Sequence, residues 1–162
     1  MVLFTDVTAK LADSPFTVEW LLDSLSTNDK KFAILEQKYT IKNVAANDIS
    51  DGKGFASKVY KVEIEFHEIT EPYLVILKVP GTESLAKTSE TGESPIGEKD
   101  LAYIHNKECD FYTKFAEHID TVLPKVYKAQ KWILGEQPGA LLMSFIADAE
   151  NMTLIADTNI EQ

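Results

Sequence analysis

The chain has 162 residues, with 16 basic and 26 acidic side chains and a formal charge of −10, and every basic residue is lysine. An acidic chain without arginine argues against binding to nucleic acid or to an anionic membrane surface. Cys109 is the only cysteine, which excludes an internal disulfide and a multi-cysteine metal site. No apolar run approaches the roughly 20 residues of a membrane span, and the start lacks a signal-peptide pattern. These features predict a cytoplasmic globular protein.

The first 38 residues predict helices. Ser14 is suited to cap a helix and Pro15 to occupy its first position, and several large apolar side chains follow. A second short helix is expected from Asn28 to about Lys38. We interpret residues 1–38 as an N-terminal helical extension.

The pattern changes between residues 39 and 146. Apolar and polar residues alternate along 60–66, as in a half-buried strand, and an almost continuous apolar run follows. The predicted strands are 39–44, 60–66, 73–79, 125–132 and 140–145, with one helix over 100–119. This order predicts an α+β fold in which a five-stranded antiparallel sheet carries one packed helix.

Two charged residues stand in apolar surroundings. Lys78 interrupts the apolar strand, where an ammonium needs a partner or a route to water. Glu108 interrupts an apolar stripe of the predicted helix, and a carboxylate there needs a cation. We therefore predict a Lys78–Glu108 ion pair. The alternative is a solvated Glu108 beside Lys107 or Lys114. The stripe comprises Leu101, Ile104, Phe111, Phe115 and Ile119.

A glycine-containing turn joins the first two predicted strands. Gly52 and Gly54 allow close approach of the backbone to an anion, and Ser57 adds a hydroxyl donor. By itself this pattern is also typical of an ordinary hairpin turn. Its order is more informative, because a glycine turn, a lysine strand and a glutamate helix follow one another in kinase small lobes.

Several ordered segments resemble the CHK kinase-like family, the group similar to choline kinases and aminoglycoside phosphotransferases that includes ecdysteroid-kinase-like proteins and a nematode branch. The resemblance covers roughly residues 30–150 and implies a kinase-like N-terminal lobe. The segments that carry it are DGKGFASKV, VILKV, YIHNKECDFY, LPKVYKAQKW and GALLMSFI.

The resemblance implies a binding site for ATP with Mg²⁺. In it, Lys78 would contact the α- and β-phosphates, and Glu108 would orient that lysine. Gly52, Gly54 and Ser57 would cover the phosphates.

The same resemblance assigns the nucleobase to the hinge at residues 142–146. Backbone groups there would make the hydrogen bonds, with Met143 and Phe145 beside the base. Ser144 stands where the family more often has an acid.

The chain departs from this family in its catalytic half. A His-x-Asp-x-x-x-x-Asn loop and a metal-binding Asp are expected after the hinge. The one His-x-Asp pattern is His118–Asp120, and Lys125 replaces the asparagine. We interpret residues 39–146 as the N-lobe and 147–162 as the start of a missing second lobe.

The predicted function is therefore that of the nucleotide-binding lobe of a small-molecule kinase, inactive in this chain. ATP is the expected donor, and a hydroxyl acceptor is expected only with a second lobe. One alternative is an interaction module whose exposed lobe surface binds a protein partner or a second copy. Another is an unrelated α+β domain in which Lys78 and Glu108 are incidental.

Overall fold

A computed structural model describes residues 6–50, 56–82, 96–120 and 122–147. It confirms the predicted α+β class. The helices are α1 (Val18–Asn28), α2 (Lys30–Lys38) and α3 (Glu98–Lys114), with a 3₁₀ turn at Ala116–His118. The strands are β1 (Ile41–Asp48), β2 (Ser57–Phe66), β3 (Tyr73–Pro80), β4 (Val126–Gln130) and β5 (Ala140–Ser144).

The five strands form a sheet in the order β1-β2-β3-β5-β4. Each neighbouring pair is antiparallel. The register places Lys78 of β3 opposite Val59 of β2 on one side and Leu141 of β5 on the other. Lys78 therefore belongs to an inner strand with a paired backbone on both sides.

The main core lies between one face of the sheet and the N-terminal segment. Alternate residues of the strands point to this face, and α1 and α2 cover it with apolar side chains. Leu25 and Phe32 are completely buried there. The strand residues of this core include Tyr60, Val62, Ile64, Val75, Leu77, Val79, Ala140 and Leu142.

The predicted start of α1 is wrong by three residues. Thr17 is the N-cap, and its hydroxyl oxygen accepts a hydrogen bond from the Trp20 amide at 3.2 Å. Ser14 is buried in the preceding turn, where its hydroxyl oxygen accepts a hydrogen bond from the Phe16 amide at 3.2 Å. Serine and threonine both favour the N-cap position. Thr17 is the cap because Ser14 is buried in the turn before the helix.

Asp29 joins the two N-terminal helices to the sheet. Its carboxylate caps α2 by accepting a hydrogen bond from the Lys31 amide at 3.2 Å. The same carboxylate accepts a hydrogen bond from the Tyr73 hydroxyl of β3, and Lys125 Nζ lies 3.6 Å away. The buried carboxylate is thus compensated by donors from three parts of the chain.

The predicted buried stripe of α3 is also wrong in its phase. The side chains buried against the sheet are Leu101, Ala102, His105 and Cys109. The expected inward residues Ile104, Phe115 and Ile119 are 51%, 57% and 42% exposed. The helix ends at Lys114 because Phe115 leaves helical geometry. After Leu101, the buried face consists of small and polar residues, and the adjoining β4–β5 hairpin offers His105 a backbone hydrogen-bond acceptor.

The remaining boundaries of the secondary structure differ by a few residues from the predictions. β1 runs to Asp48 rather than to Val44, whereas β4 and β5 are shorter than expected. Most of the predicted post-hinge tail, residues 148–162, lies outside the described residues.

His105 gives the fold a predictable dependence on pH. Burial lowers the pKa of His105 below its ordinary value of 6.5, although its hydrogen bond to the Gln130 carbonyl acts in the opposite direction. The unfolded chain therefore binds this proton at a higher pH than the folded chain. We expect the free energy of unfolding to fall as the pH drops below about 6.5, measured by urea denaturation.

The matched variants isolate the contribution of His105. His105→Gln keeps an N–H donor for the Gln130 carbonyl and removes the titration, so the pH slope should flatten. His118→Gln removes an exposed imidazole and is the control for the substitution itself. An unchanged slope in His105→Gln would contradict the assignment.

Candidate functional site

The ion pair between β3 and α3 is the centre of the candidate site. Lys78 Nζ lies 2.6 Å from Glu108 Oε1 and 2.8 Å from Oε2. The two side chains are 29% and 30% exposed. The predicted contact is therefore present, at the edge of an open face rather than in the core.

The pair restrains a cation more than it stabilises the fold. At this exposure an ion pair contributes at most about 1 kcal/mol to stability. An ammonium carries three N–H donors, and the two carboxylate oxygens account for two of them. The arrangement leaves Lys78 chemically able to donate to a further anion on the open side.

The strand register places further side chains, among them the buried Leu141, on the face of Lys78. Ser57 pairs with Pro80 in the register and Val59 pairs with Lys78, while Ile76 pairs with Met143. Directly opposed residues of antiparallel strands point to the same side of a sheet. Ser57, Val59, Ile76 and Met143 therefore flank the ammonium, and all except Met143 are partly exposed.

Phe145 extends this face beyond the end of β5. Lys61 Nζ lies 5.4 Å from the centroid of the Phe145 ring. Lys61 pairs with Ile76 in the register, so Phe145 stands on the same side as Ile76 and Lys78. Leu142, the first residue of the predicted hinge, is buried on the opposite side.

Ser144 in the predicted hinge is engaged with the start of β4. Its hydroxyl oxygen accepts a hydrogen bond from the Lys125 amide at 3.0 Å, and its own amide donates to the Lys125 carbonyl at 2.8 Å. This side chain therefore closes the β4–β5 pairing.

The structure brings together five of the predicted site residues. Their binding roles stay predictions, and Gly52 and Gly54 lie outside the described residues. Sequence reasoning missed Val59 and Ile76. Ile76 was detectable as the residue two before Lys78 on the same side of the strand, whereas Val59 required the register. The five residues are Lys78, Glu108, Ser57, Met143 and Phe145.

The described residues do not supply a metal site. Within them, no three His, Cys, Asp or Glu side chains form a group that could hold a metal ion. Glu108 is already engaged by Lys78. Desolvation, with a smaller effect of Glu108, raises the pKa of Cys109 to about 11, so this thiol is protonated at neutral pH, and it donates to the Gln130 carbonyl at 3.7 Å. The residues described here therefore do not fit Mg²⁺ on their own.

A separate cavity of about 370 Å³ lies at the end of the sheet, where β2 and β3 meet the N-terminal segment, the first turn of α3 and the β4–β5 hairpin. Its lining includes Lys58, Tyr60 and Val79, which alternate away from Lys78. Asp13 accepts hydrogen bonds from Lys58 at 2.6 Å and from the Tyr60 hydroxyl at 2.7 Å, and these contacts lower the pKa of Asp13. Neither Lys78 nor Glu108 is among the residues that line this cavity.

None of the helices in the described part of the chain is both long and apolar enough to cross a membrane.

Comparison with known proteins gives a family. A family profile named DUF1679, described as "Uncharacterized oxidoreductase dhs-27", matches residues 33–162. A Caenorhabditis elegans protein of the same description is 28% identical over 157 residues, covering 90% of this chain and 18% of that protein. No solved structure matches the chain significantly.

The family match includes all five strands and α3. The narrower assignment to the CHK kinase-like group stays a prediction. Since the matched segment covers most of the sequence, the chain belongs to DUF1679, an ecdysteroid-kinase-like family.

Proposed function

We propose that this chain is the nucleotide-binding lobe of a small-molecule phosphotransferase, with ATP as the nucleotide and a hydroxyl compound as the acceptor. The observation that carries the proposal is the Lys78–Glu108 ion pair on a half-exposed face of the sheet. Membership of an ecdysteroid-kinase-like family supports it.

The chemistry of the face fits a nucleotide in two parts. Lys78 offers a point charge for phosphate oxygens, and Glu108 limits the directions in which the ammonium can point. Val59 and Ile76 offer partly exposed apolar surface for a flat base on the same side of the sheet. A cationic end and an apolar end thus lie side by side.

Phosphoryl transfer needs more than this face. The reaction requires metal ions that neutralise the phosphates and a group that orients the acceptor hydroxyl. The described residues offer no carboxylate cluster for Mg²⁺. We therefore propose that these residues bind nucleotide and that transfer depends on groups outside them.

The name of the C. elegans relative raises oxidoreductase chemistry as a comparison. Dinucleotide cofactors typically bind at parallel sheets, where a Gly-x-Gly-x-x-Gly turn leads from a strand into a helix. All strand pairs of this sheet are antiparallel. Because this chain spans 18% of that relative, its name concerns a much longer protein.

Substitution of the ion pair tests the proposal directly. Lys78→Met and Glu108→Gln should each weaken MgATP binding by roughly tenfold, the value of one charge-assisted hydrogen bond, measured by isothermal titration calorimetry. Lys128→Met is the matched control, since Lys128 pairs with Leu142 and points to the opposite face of the sheet. Equal affinities for the parent and all three variants would refute the proposal.

Competition between nucleotides distinguishes the two enzyme classes. We expect unlabelled ATP to displace a fluorescent ADP analogue from the parent protein, and NADH or NADPH to leave it bound, because the described strands all pair antiparallel whereas dinucleotide cofactors typically bind at parallel sheets. Displacement by a nicotinamide dinucleotide at lower concentration than ATP would favour the oxidoreductase class instead.

The outer side of α3 favours a second candidate function, self-association. Ile104, Phe111 and Phe115 are spaced seven and four residues apart, and Ile104 and Phe115 are mostly exposed. Such a stripe is self-complementary when two helices meet across a two-fold axis.

Light scattering decides whether this stripe binds a second copy. A dimer of the parent that becomes a monomer in Ile104→Ser and Phe115→Ser would support self-association. Thr113→Ser, a conservative change at an exposed position of the same helix, is the control. A monomeric parent at high concentration would refute it.

A further inference from the structure

We infer that Asn106, together with His105, is a positioning residue that fixes the rotation of α3 on the β4–β5 hairpin so that Glu108 meets Lys78. The functional meaning of this inference rests on the proposed nucleotide site. The contact itself can be tested without any nucleotide.

Asn106 makes a two-point contact with the hairpin backbone. Its side-chain Nδ2 donates to the Trp132 carbonyl at 3.0 Å, and the Trp132 amide donates to Asn106 Oδ1 at 2.8 Å. Two opposed hydrogen bonds fix the plane of the side-chain amide relative to the backbone of residue 132. The side chain thus imitates one step of a strand pairing.

His105 adds a third polar contact one residue earlier. Its Nε2 lies 2.8 Å from the Gln130 carbonyl oxygen and 3.3 Å from Cys109 Sγ. The side chain is 3% exposed, so this contact is shielded from water. Consecutive residues of α3 therefore bind backbone groups at the end of β4 and just after it.

Gly139 of the hairpin leaves the space that His105 needs. A Cβ atom at residue 139 would lie 2.7 Å from Nε2 and Cδ2 of His105 and 2.9 Å from Pro80 Cγ. These distances are below normal contact, so any side chain at this position forces the imidazole ring, Pro80 or the hairpin backbone to shift. Gly139 thus provides a way to disturb the contact without altering α3.

Apolar packing on this face does not by itself fix the rotation of the helix. The buried apolar side chains at this contact are Leu101, Ala102, Cys109, Leu141 and Met143. Apolar contact is non-directional, whereas hydrogen bonds restrict orientation. On a helix about 10–12 Å wide, a rotation of about 30° moves a side-chain end by roughly 3 Å. That displacement is enough to separate Glu108 from Lys78.

The test measures how readily Lys78 is acetylated in the absence of nucleotide, because loss of the ion pair with Glu108 makes its amino group more reactive. The protein is labelled briefly with acetic anhydride and digested, and acetylation of Lys78 is quantified by mass spectrometry against Lys128. Glu108→Gln should raise Lys78 labelling roughly threefold, the factor expected for a pair of this exposure. Asn106→Ala and Gly139→Ala should raise it to the same level.

Two controls separate positioning from general destabilisation. Thr113→Ala changes an exposed side chain of α3, and its labelling should match the parent. Val62→Ala leaves a hole in the main core on the opposite face, so it should lower stability without changing Lys78 labelling. If Asn106→Ala fails to fold, Gly139→Ala decides the question.

The outcomes separate this inference from the proposed function. Parent-level labelling in folded Asn106→Ala and Gly139→Ala overturns the positioning role. Raised labelling in these variants, with no MgATP binding by the parent, supports the positioning role and refutes nucleotide binding.

Discussion

The candidate site depends on the placement of one helix against the second face of the sheet. Lys78 has a fixed position because β3 is paired on both sides, with Val59 and Leu141 as its neighbours. Glu108 lies on a helix, so no backbone pairing with the sheet fixes its position. Its distance to Lys78 is set by how α3 lies on the hairpin, and polar contacts to backbone groups determine that placement.

The two faces of the sheet are stabilised in different ways. The face covered by the N-terminal helices carries a large apolar core, with buried side chains from four strands. The face under α3 has fewer buried apolar residues, and the hydrogen bonds of the His105 imidazole and the Asn106 amide supplement them. The core on the first face holds the strands in place. The second face stays partly exposed to solvent around Lys78.

Local sequence patterns predicted the strands well. Apolar and polar residues that alternate at every second position fit a strand and do not fit a helix. The continuous apolar run of β3 and the alternation of β2 both indicated the correct elements. The phase of α3 was not predictable in this way. This helix carries apolar residues on two adjacent sides, and hydropathy favours the side with Ile104 and Phe115, although the structure buries the side with His105 and Cys109.

The Lys78–Glu108 contact was predicted correctly although the stripe that suggested it faces solvent. Glu108 follows Ile104 by four residues and His105 by three, so it lies on the boundary between the two sides of the helix. The contact is therefore expected whichever of the two sides of α3 is buried. Val59 was missed for another reason, since its neighbour in space is set by strand register and not by any pattern within β2.

The separation of α3 from the main core has a thermodynamic consequence. Detaching this helix leaves the main core on the opposite face intact, so it is a local opening that costs less free energy than global unfolding. A ligand that requires Glu108 beside Lys78 binds only the fraction of molecules with the helix attached. Its apparent dissociation constant is then the intrinsic value divided by that fraction, and a substitution far from the ligand changes affinity by changing the attached population.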